Sequence, residues 1–286
     1  MTQLLAKILR YASLCCLLAN LLWLGGCFQQ DREAPSRNPN LLLGNPSKAT
    51  TDESNHENYL MLKPQYALSY SRNKGIPNWV SWRLTNDNLA IRGTSKRQND
   101  FRADPTLPNS WPATETRDYT GSGFDRGHMT NSEDRSSNPI DNSATFLMTN
   151  IIPQAPDNNR GVWVQLENYC RELVRAGKEL YIITGPQGQG GVGEKGALKK
   201  LPKGQIVPAN TWKVVLVTNP GKGINGIDKN TRTFAVSIPN IQGIKHNDWR
   251  SYRRTVREIE RNTGYDFFSV LPADVQEAIE NREDSN

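Results

Sequence analysis

Of the three histidines in this chain, one stands among residues that could set its charge. In GSGFDRGHMTNSEDR (121–135), His128 follows Asp125, Arg126 and Gly127, just behind a glycine-serine-glycine turn. An imidazole titrates near neutrality, so it can take up or release a proton under physiological conditions. Glycines beside it let the backbone turn tightly or approach another group closely. A histidine placed only for packing needs none of these neighbours. A structural zinc site is a poor alternative, because zinc collects three or four His, Cys or acid ligands and this chain is short of both His and Cys. His246, in GIKHNDWR, has no partner pattern and reads as a surface or cap residue; His56 reads as solvated.

A second polar set follows in FLMTNIIPQAPDNNRGVWVQLENYCREL (146–173). Asn159, Trp163, Glu167 and Arg171 recur at steps of four, so on a helix they form one slanted ridge beside the apolar face. Taken alone, that ridge reads as a surface feature with an intrahelical Glu167–Arg171 pair. Trp163 lies among apolar helix neighbours and reads as core. Cys170 shares a helical pattern with Val162, Leu166 and Leu173 and reads as a small apolar packing residue.

The elements that must position these groups are legible from periodicity. Strand-like runs are YLMLK (59–63), YALSYS (66–71), NWVSWRLT (78–85), TFLMTNI, LYIIT, WKVVLVT and TFAVSI. Helices are expected in NRGVWVQLENYCRELVRAG (159–177), which starts after the potential N-caps Asp157 and Asn158 and stops at Gly177, and in WRSYRRTVREIERNTG and PADVQEAIENRE. Strands cluster before and after one helix instead of alternating with helices. The expected fold is therefore α+β, a mainly antiparallel central sheet flanked by helices. GQGGVG (188–193) matches a dinucleotide-binding pattern, but Pro202 and Gly204 fall where a crossover helix should run and Lys213 where the ribose-binding acid should be, so it reads as a mobile loop. Arg250, Arg254, Arg257 and Arg261 recur at helical spacing and read as a solvated face with Glu258 and Glu260 interspersed.

The N-terminus has a separate logic. Lys7 and Arg10 precede an apolar stretch from Tyr11 to Leu24 and the small residues Gly25 and Gly26, the layout of an export signal. The LGGC end resembles a bacterial lipoprotein cleavage box, in which Cys27 would carry a lipid and tether the chain to a membrane. The expected organisation is a signal over 1–27, a flexible linker over 28–57 and one domain over 58–286, exported to the periplasm, cell surface or medium. The formal charge of +6 falls to +4 without Lys7 and Arg10, a mildly basic balance that permits a polyanionic partner. Nothing in the sequence points to a protein partner.

DRGH and the downstream ridge together resemble the sugar-non-specific DNA/RNA endonucleases of the ββα-metal (His-Me finger) group. The likeness runs through NYLMLKPQYALSY, NWVSWRLT, RQNDFRADPTLP and DRGHMTNSEDR, then TNIIPQAPDNNRGVWVQLENYCREL and NDWRSYRRTVREIERNTGYDF. Its specific part is DRGH joined to TNxxPQxxxxNxxxWxxLE. The resemblance implies a ββα-metal finger active site and internal cleavage of DNA and RNA, single- or double-stranded, with little preference for sequence or sugar and with 5′-phosphate ends. It makes His128 the general base, Asn159 the direct ligand of a Mg2+ ion (Mn2+ or another divalent cation in its place), and Glu167 an organiser of metal-bound water. It also makes Arg97, Arg126 and Arg171 phosphate contacts, with Asp125 a support behind the site.

The chemistry is coherent with those roles. Phosphodiester hydrolysis needs an in-line nucleophile, neutralised phosphate oxygens and a proton for the leaving oxygen. A neutral imidazole can act as base when its other nitrogen is held, which predicts a main-chain oxygen on His128. Magnesium keeps several waters, so one amide ligand can suffice. Glu167 lies about 12 Å beyond Asn159 along a helix and leans back toward it, which suits contact through water. Two rivals share much of this pattern: a surface module that holds nucleic acid without cutting it, and a phosphodiesterase for small substrates. The presence of His128, Asn159 and Glu167 together argues against the first.

Overall fold

The computed structural model describes residues 36–91 and 96–285. The export signal and Cys27 lie outside the described residues. Among those described, no helix is long and apolar enough to cross a membrane.

Eleven strands and four α-helices follow one another along the described chain. They are β1 (Tyr59–Leu62), β2 (Ala67–Ser71), β3 (Ile76–Leu84), β4 (Asp125–His128), α1 (Pro139–Ala144), β5 (Ile151–Gln154), α2 (Val164–Arg175), β6 (Glu179–Gln187), β7 (Gly191–Gly193), β8 (Gly196–Leu198), β9 (Asn210–Thr218), β10 (Arg232–Pro239), β11 (Arg253–Arg254), α3 (Val256–Thr263) and α4 (Ala273–Glu280). Seven strands form one sheet in the order β1-β2-β3-β6-β9-β10-β11, and every pairing in it is antiparallel. The α+β expectation is met. The chain leaves the sheet after β3 and re-enters at β6, the neighbour of β3. All of the expected site residues lie in that excursion.

Side-chain alternation in the sheet separates two cores. From β9, Val215 and Val217 join Trp82, Leu180 and Val236 on the face covered by Val162 and Trp163, just before α2, and by Leu166, Cys170 and Val174 within it. Trp212, Val214 and Leu216 point the other way, onto Val256, Ile259 and Ile279 from the C-terminal helices and Phe267 from the segment between them. Cys170 is buried in the first core, as its periodicity suggests, and burial pushes its thiol up to about 12.

Four expectations change. Residues 28–57 do not form a linker throughout: Leu41, Leu43 and Ala49 are buried in the second core, and Asn40 donates to Lys63 O and Pro64 O. The segment's polar average conceals LLL, which the sheet face removes from water. TFLMTNI is a strand only from Ile151, because the buried Asn150 amide is bonded to Thr130 and Thr145 and shapes a 3-10 turn. The helix expected across 249–264 is interrupted. Thr255 caps α3 through a reciprocal pair with Glu258, so the earlier residues form a 3-10 turn and β11, and the arginines share no single face. GQGGVG is not a loose loop either: it enters the β7–β8 hairpin, where a side chain on Gly193 would lie 2.9 Å from the Phe124 ring. That hairpin braces the turn before Asp125, with Glu194 N–H donating to Gly123 O and Lys195 Nζ to Gly121 O.

Candidate active site

DRGH is strand β4 itself, paired antiparallel with β5 so that His128 faces Ile151 and Gly127 faces Ile152. The chain then winds through a π-helical turn, Asn158–Trp163, directly into α2. Two glycines make this packing possible. A side chain on Gly127 would lie 2.5 Å from Cβ of the buried Gln154, and one on Gly161 would lie 2.6 Å from Cα of Lys245. Gln154 cannot yield easily, since its amide donates to Asn158 Oδ1, and Asn158 in turn donates to Thr211 and Pro239 in the sheet.

The His128 ring is buried between two phenylalanines, 5.2 Å from Phe101 and 4.8 Å from Phe146, centroid to centroid. Each of these also carries an arginine, Arg126 over Phe101 at 4.3 Å and Arg97 over Phe146 at 4.8 Å. Arg97 Nη1 donates to Ser132 Oγ as well. The expected main-chain oxygen on His128 is not found among the described residues, and its Nε2 is buried without a hydrogen-bond partner. Packing against Phe101 and Phe146 holds the ring from two sides. Burial, reinforced by the charges of Arg97 and Arg126, pushes the imidazole down to about 3. It is therefore neutral at physiological pH, the form that can accept a proton.

Asp125 organises the start of the helix. One carboxylate oxygen accepts from Asn159 Nδ2 at 2.9 Å and from Arg160 Nε at 2.8 Å, while the other accepts from Arg160 Nη2 at 2.5 Å. Because the amide nitrogen of Asn159 is turned to a carboxylate, its Oδ1 is left as the acceptor end. Asp125, Arg126, Asn159, Arg160, Arg97 and Phe101 line one cavity of about 370 Å³, walled by three guanidinium groups.

Glu167 and Arg171 lie deeper. Glu167 accepts from Asn131 Nδ2 at 2.5 Å; burial raises its pKa, opposed by the charges of Lys213 and Arg171 and by that hydrogen bond. Arg171 differs from expectation. Its Nη1 donates to Asp134 Oδ1 at 2.9 Å and its Nη2 to Asn168 Oδ1 at 2.7 Å, with the side chain 5% exposed. The structure therefore brings Arg97, Arg126 and Arg160 to the cavity, with His128 packed behind it, and assigns Arg171 to the helix's buried side. Arg160, Asn131, Phe101 and Phe146 did not emerge from the sequence reading. Adjacency to Asn159 was the one available signal for Arg160, while the phenylalanines read as ordinary core.

Among the described residues no group of three His, Cys, Asp or Glu is placed to hold a metal. A site built on an amide oxygen fits a hard, hydrated cation that takes oxygen ligands and keeps waters. The orientation of Asn159 by Asp125 fits that donor role.

A buried imidazole on the first strand of a hairpin that leads into a helix with an amide at its start defines the ββα-finger class of nucleases. The chain belongs to the DNA/RNA non-specific endonuclease family, whose profile matches residues 43–274. It is 50% identical over 254 residues to a nuclease of Nostoc sp., covering 88% of each chain. It is 29% identical over 231 residues to a nuclease of Serratia marcescens, covering 79% of this chain and 80% of that one. The fold matches the crystal structure of the EndoG/EndoGI complex with a TM-score of 0.70 at 23% identity, covering 86% of this chain and 96% of that one. The chain is thus a DNA/RNA endonuclease.

Proposed function

We propose that the protein is an exported, divalent-cation-dependent endonuclease that hydrolyses DNA and RNA with little regard for sequence or sugar and leaves 5′-phosphate ends. The observation that carries this reading is the Asp125–Asn159 hydrogen bond, which turns an amide oxygen toward use in an arginine-walled cavity with His128 behind it. Arg97, Arg126 and Arg160 would bind phosphate oxygens through planar donor forks that keep their charge, and such contacts carry no base identity. Neutral His128 would take a proton from the attacking water as that water's oxygen bonds to phosphorus and the bond to the 3′ oxygen breaks, the departing oxygen taking a proton from solvent water. The phosphate's own charge offsets part of the repulsion that Arg97 and Arg126 exert on the imidazolium. A cation held by Asn159, with Glu167 acting on it through water, would neutralise charge on the reacting phosphate; Mg2+ fits first, Mn2+ second. Export rests on the N-terminal pattern of Lys7, Arg10, the apolar run and Cys27, which would also supply a membrane tether.

The test is cleavage of circular single-stranded DNA and of circular RNA, with and without chelator. Both should be opened, and chelator should stop both. Cleavage of a small phosphodiester with intact circles would overturn the endonuclease reading of substrate; cutting that resists chelator would overturn the cation.

A further inference from the structure

WKVVLVT places one lysine in an otherwise apolar strand, and the structure buries it. On β9, Lys213 shares a face with Val215 and Val217 and pairs with Thr184 and Val236 in the middle of the sheet, 1% exposed. Its ammonium lies 4.4 Å from the ring centroid of Trp163 and 5.6 Å from that of Trp82. A charged group removed from water this far is costly unless it is compensated. Trp163 stands four residues before Glu167, so the two share one side of the helix, and that side faces the lysine.

The neighbouring charges are already committed. Arg171 is hydrogen-bonded to Asp134, and Asp134 accepts from Trp82 Nε1 as well. Glu133, near Arg97 and Arg171, is only half-buried at the margin. Glu167, 4% exposed, has the Asn131 amide as its hydrogen-bond donor among the described residues. Of the groups that favour its carboxylate, Lys213 acts most strongly, ahead of Arg171.

We propose that Lys213 is a positioning residue of the nuclease reaction: from the central sheet it supplies the counter-charge that holds the Glu167 carboxylate in the buried place from which it serves the site. The proposal deepens the proposed function, since it rests on Glu167 having a part in the reaction. It assigns a role to a strand residue outside the excursion that holds all the other site residues. A lysine that served packing alone would be replaceable by methionine, which has similar length and no charge.

The test compares the full-length wild type with Lys213→Met, Glu167→Gln and the double variant. Relaxation of supercoiled plasmid is followed as a function of DNA and Mg2+ concentration. Lys213→Met should lower kcat about 10- to 100-fold with KM for DNA nearly unchanged and should raise the Mg2+ needed for half-activation, as loss of a group supporting a metal site does. The double variant should be no slower than Glu167→Gln alone. Thermal unfolding, followed by circular dichroism without cation, gives a readout independent of activity. Lys213→Met should lower Tm more in the wild-type background than in the Glu167→Gln background, and if the single variant does not fold, folding of the double variant reports the same coupling. Equal loss of stability in both backgrounds, or wild-type kcat and Mg2+ dependence in Lys213→Met, would overturn the proposal. Wild-type cutting in chelator would instead strike the cation reading, and the unfolding cycle would still decide whether Lys213 and Glu167 are coupled.

Discussion

On the α2 side of the sheet, Glu167 has the cations Lys213 and Arg171 as its strongest charged neighbours, and Asp134 has Arg171. On the opposite side, between α3 and α4, Glu260 and Glu280 share the single guanidinium of Arg257, at 2.7 and 2.6 Å. Burial raises both Glu167 and Glu280. For Glu280 the next influence is the other acid, Glu260, and with Arg257 opposing only in part the carboxyl is pushed up to about 8. The difference concerns what a buried acid is for. Beside Glu167 two cations oppose the effect of burial. An acid that joins two helices can keep its proton and act as a neutral group.

The comparison breaks most visibly in catalysis. His128→Ala should lose about 10²- to 10⁴-fold in plasmid relaxation, the range expected for a positioned base, and should keep the far-ultraviolet spectrum of the wild type. Glu280→Gln, on the other face, should stay within about twofold of wild-type rate. Normal turnover by His128→Ala would remove the general base from the mechanism. A large loss in Glu280→Gln would show that the two faces are not functionally separate.

A smaller effect sharpens the contrast through two glycines. Gly127 has ordinary φ and no room, because Gln154 fills the space its side chain would need, whereas Gly264 has φ +75° and open space around it. Gly127→Ala should cost about 1–3 kcal/mol by overpacking and slow cleavage, since the displaced strand carries His128. Gly264→Ala should cost about 1–2 kcal/mol through its left-handed backbone alone and leave the rate unchanged. Urea denaturation together with the plasmid assay separates these outcomes; equal rate losses would sink the distinction.

Much of the site was legible because its residues are close in sequence. His128 sits in a four-residue strand, and Asn159 and Glu167 share one helical run, so spacing and the family likeness place them together. What stayed hidden depends on long-range packing. Arg171 carries the sequence signature of a phosphate contact, yet its direction is set by Asp134, 37 residues away. Phe101 and Phe146 converge on His128 from separate segments, and periodicity gives no hint of it. Lys213 entered the sequence reading only as a residue that did not fit a dinucleotide-binding pattern, and its burial beside Trp163 depends on contacts between distant segments. In the fold, strands with a strong alternating or β-branched pattern were read correctly. Residues 39–49 were misread because averaging over a polar segment hides three consecutive leucines.

The two sides should also respond to pH in opposite directions. His128 stands at about 3 in the fold against 6.5 when exposed, so between those values the unfolded chain binds the extra proton and stability falls as pH drops from about 6.5 toward 3. Glu280 stands at about 8 against 4.5, so here the folded chain holds the extra proton, and stability falls as pH rises from about 4.5 through 8. Tm measured from about pH 4 to pH 9 should therefore show an acid slope that His128→Ala reduces and an alkaline slope that Glu280→Gln reduces. Each variant should leave the other slope in place, because His128 lies between Phe101 and Phe146 whereas Glu280 lies on α4. If Glu280→Gln left the alkaline slope unchanged, Arg257 would be holding both Glu260 and Glu280 as carboxylates. The charge arrangement on that face would then resemble the one around Glu167, and the contrast between the two sides of the sheet would disappear.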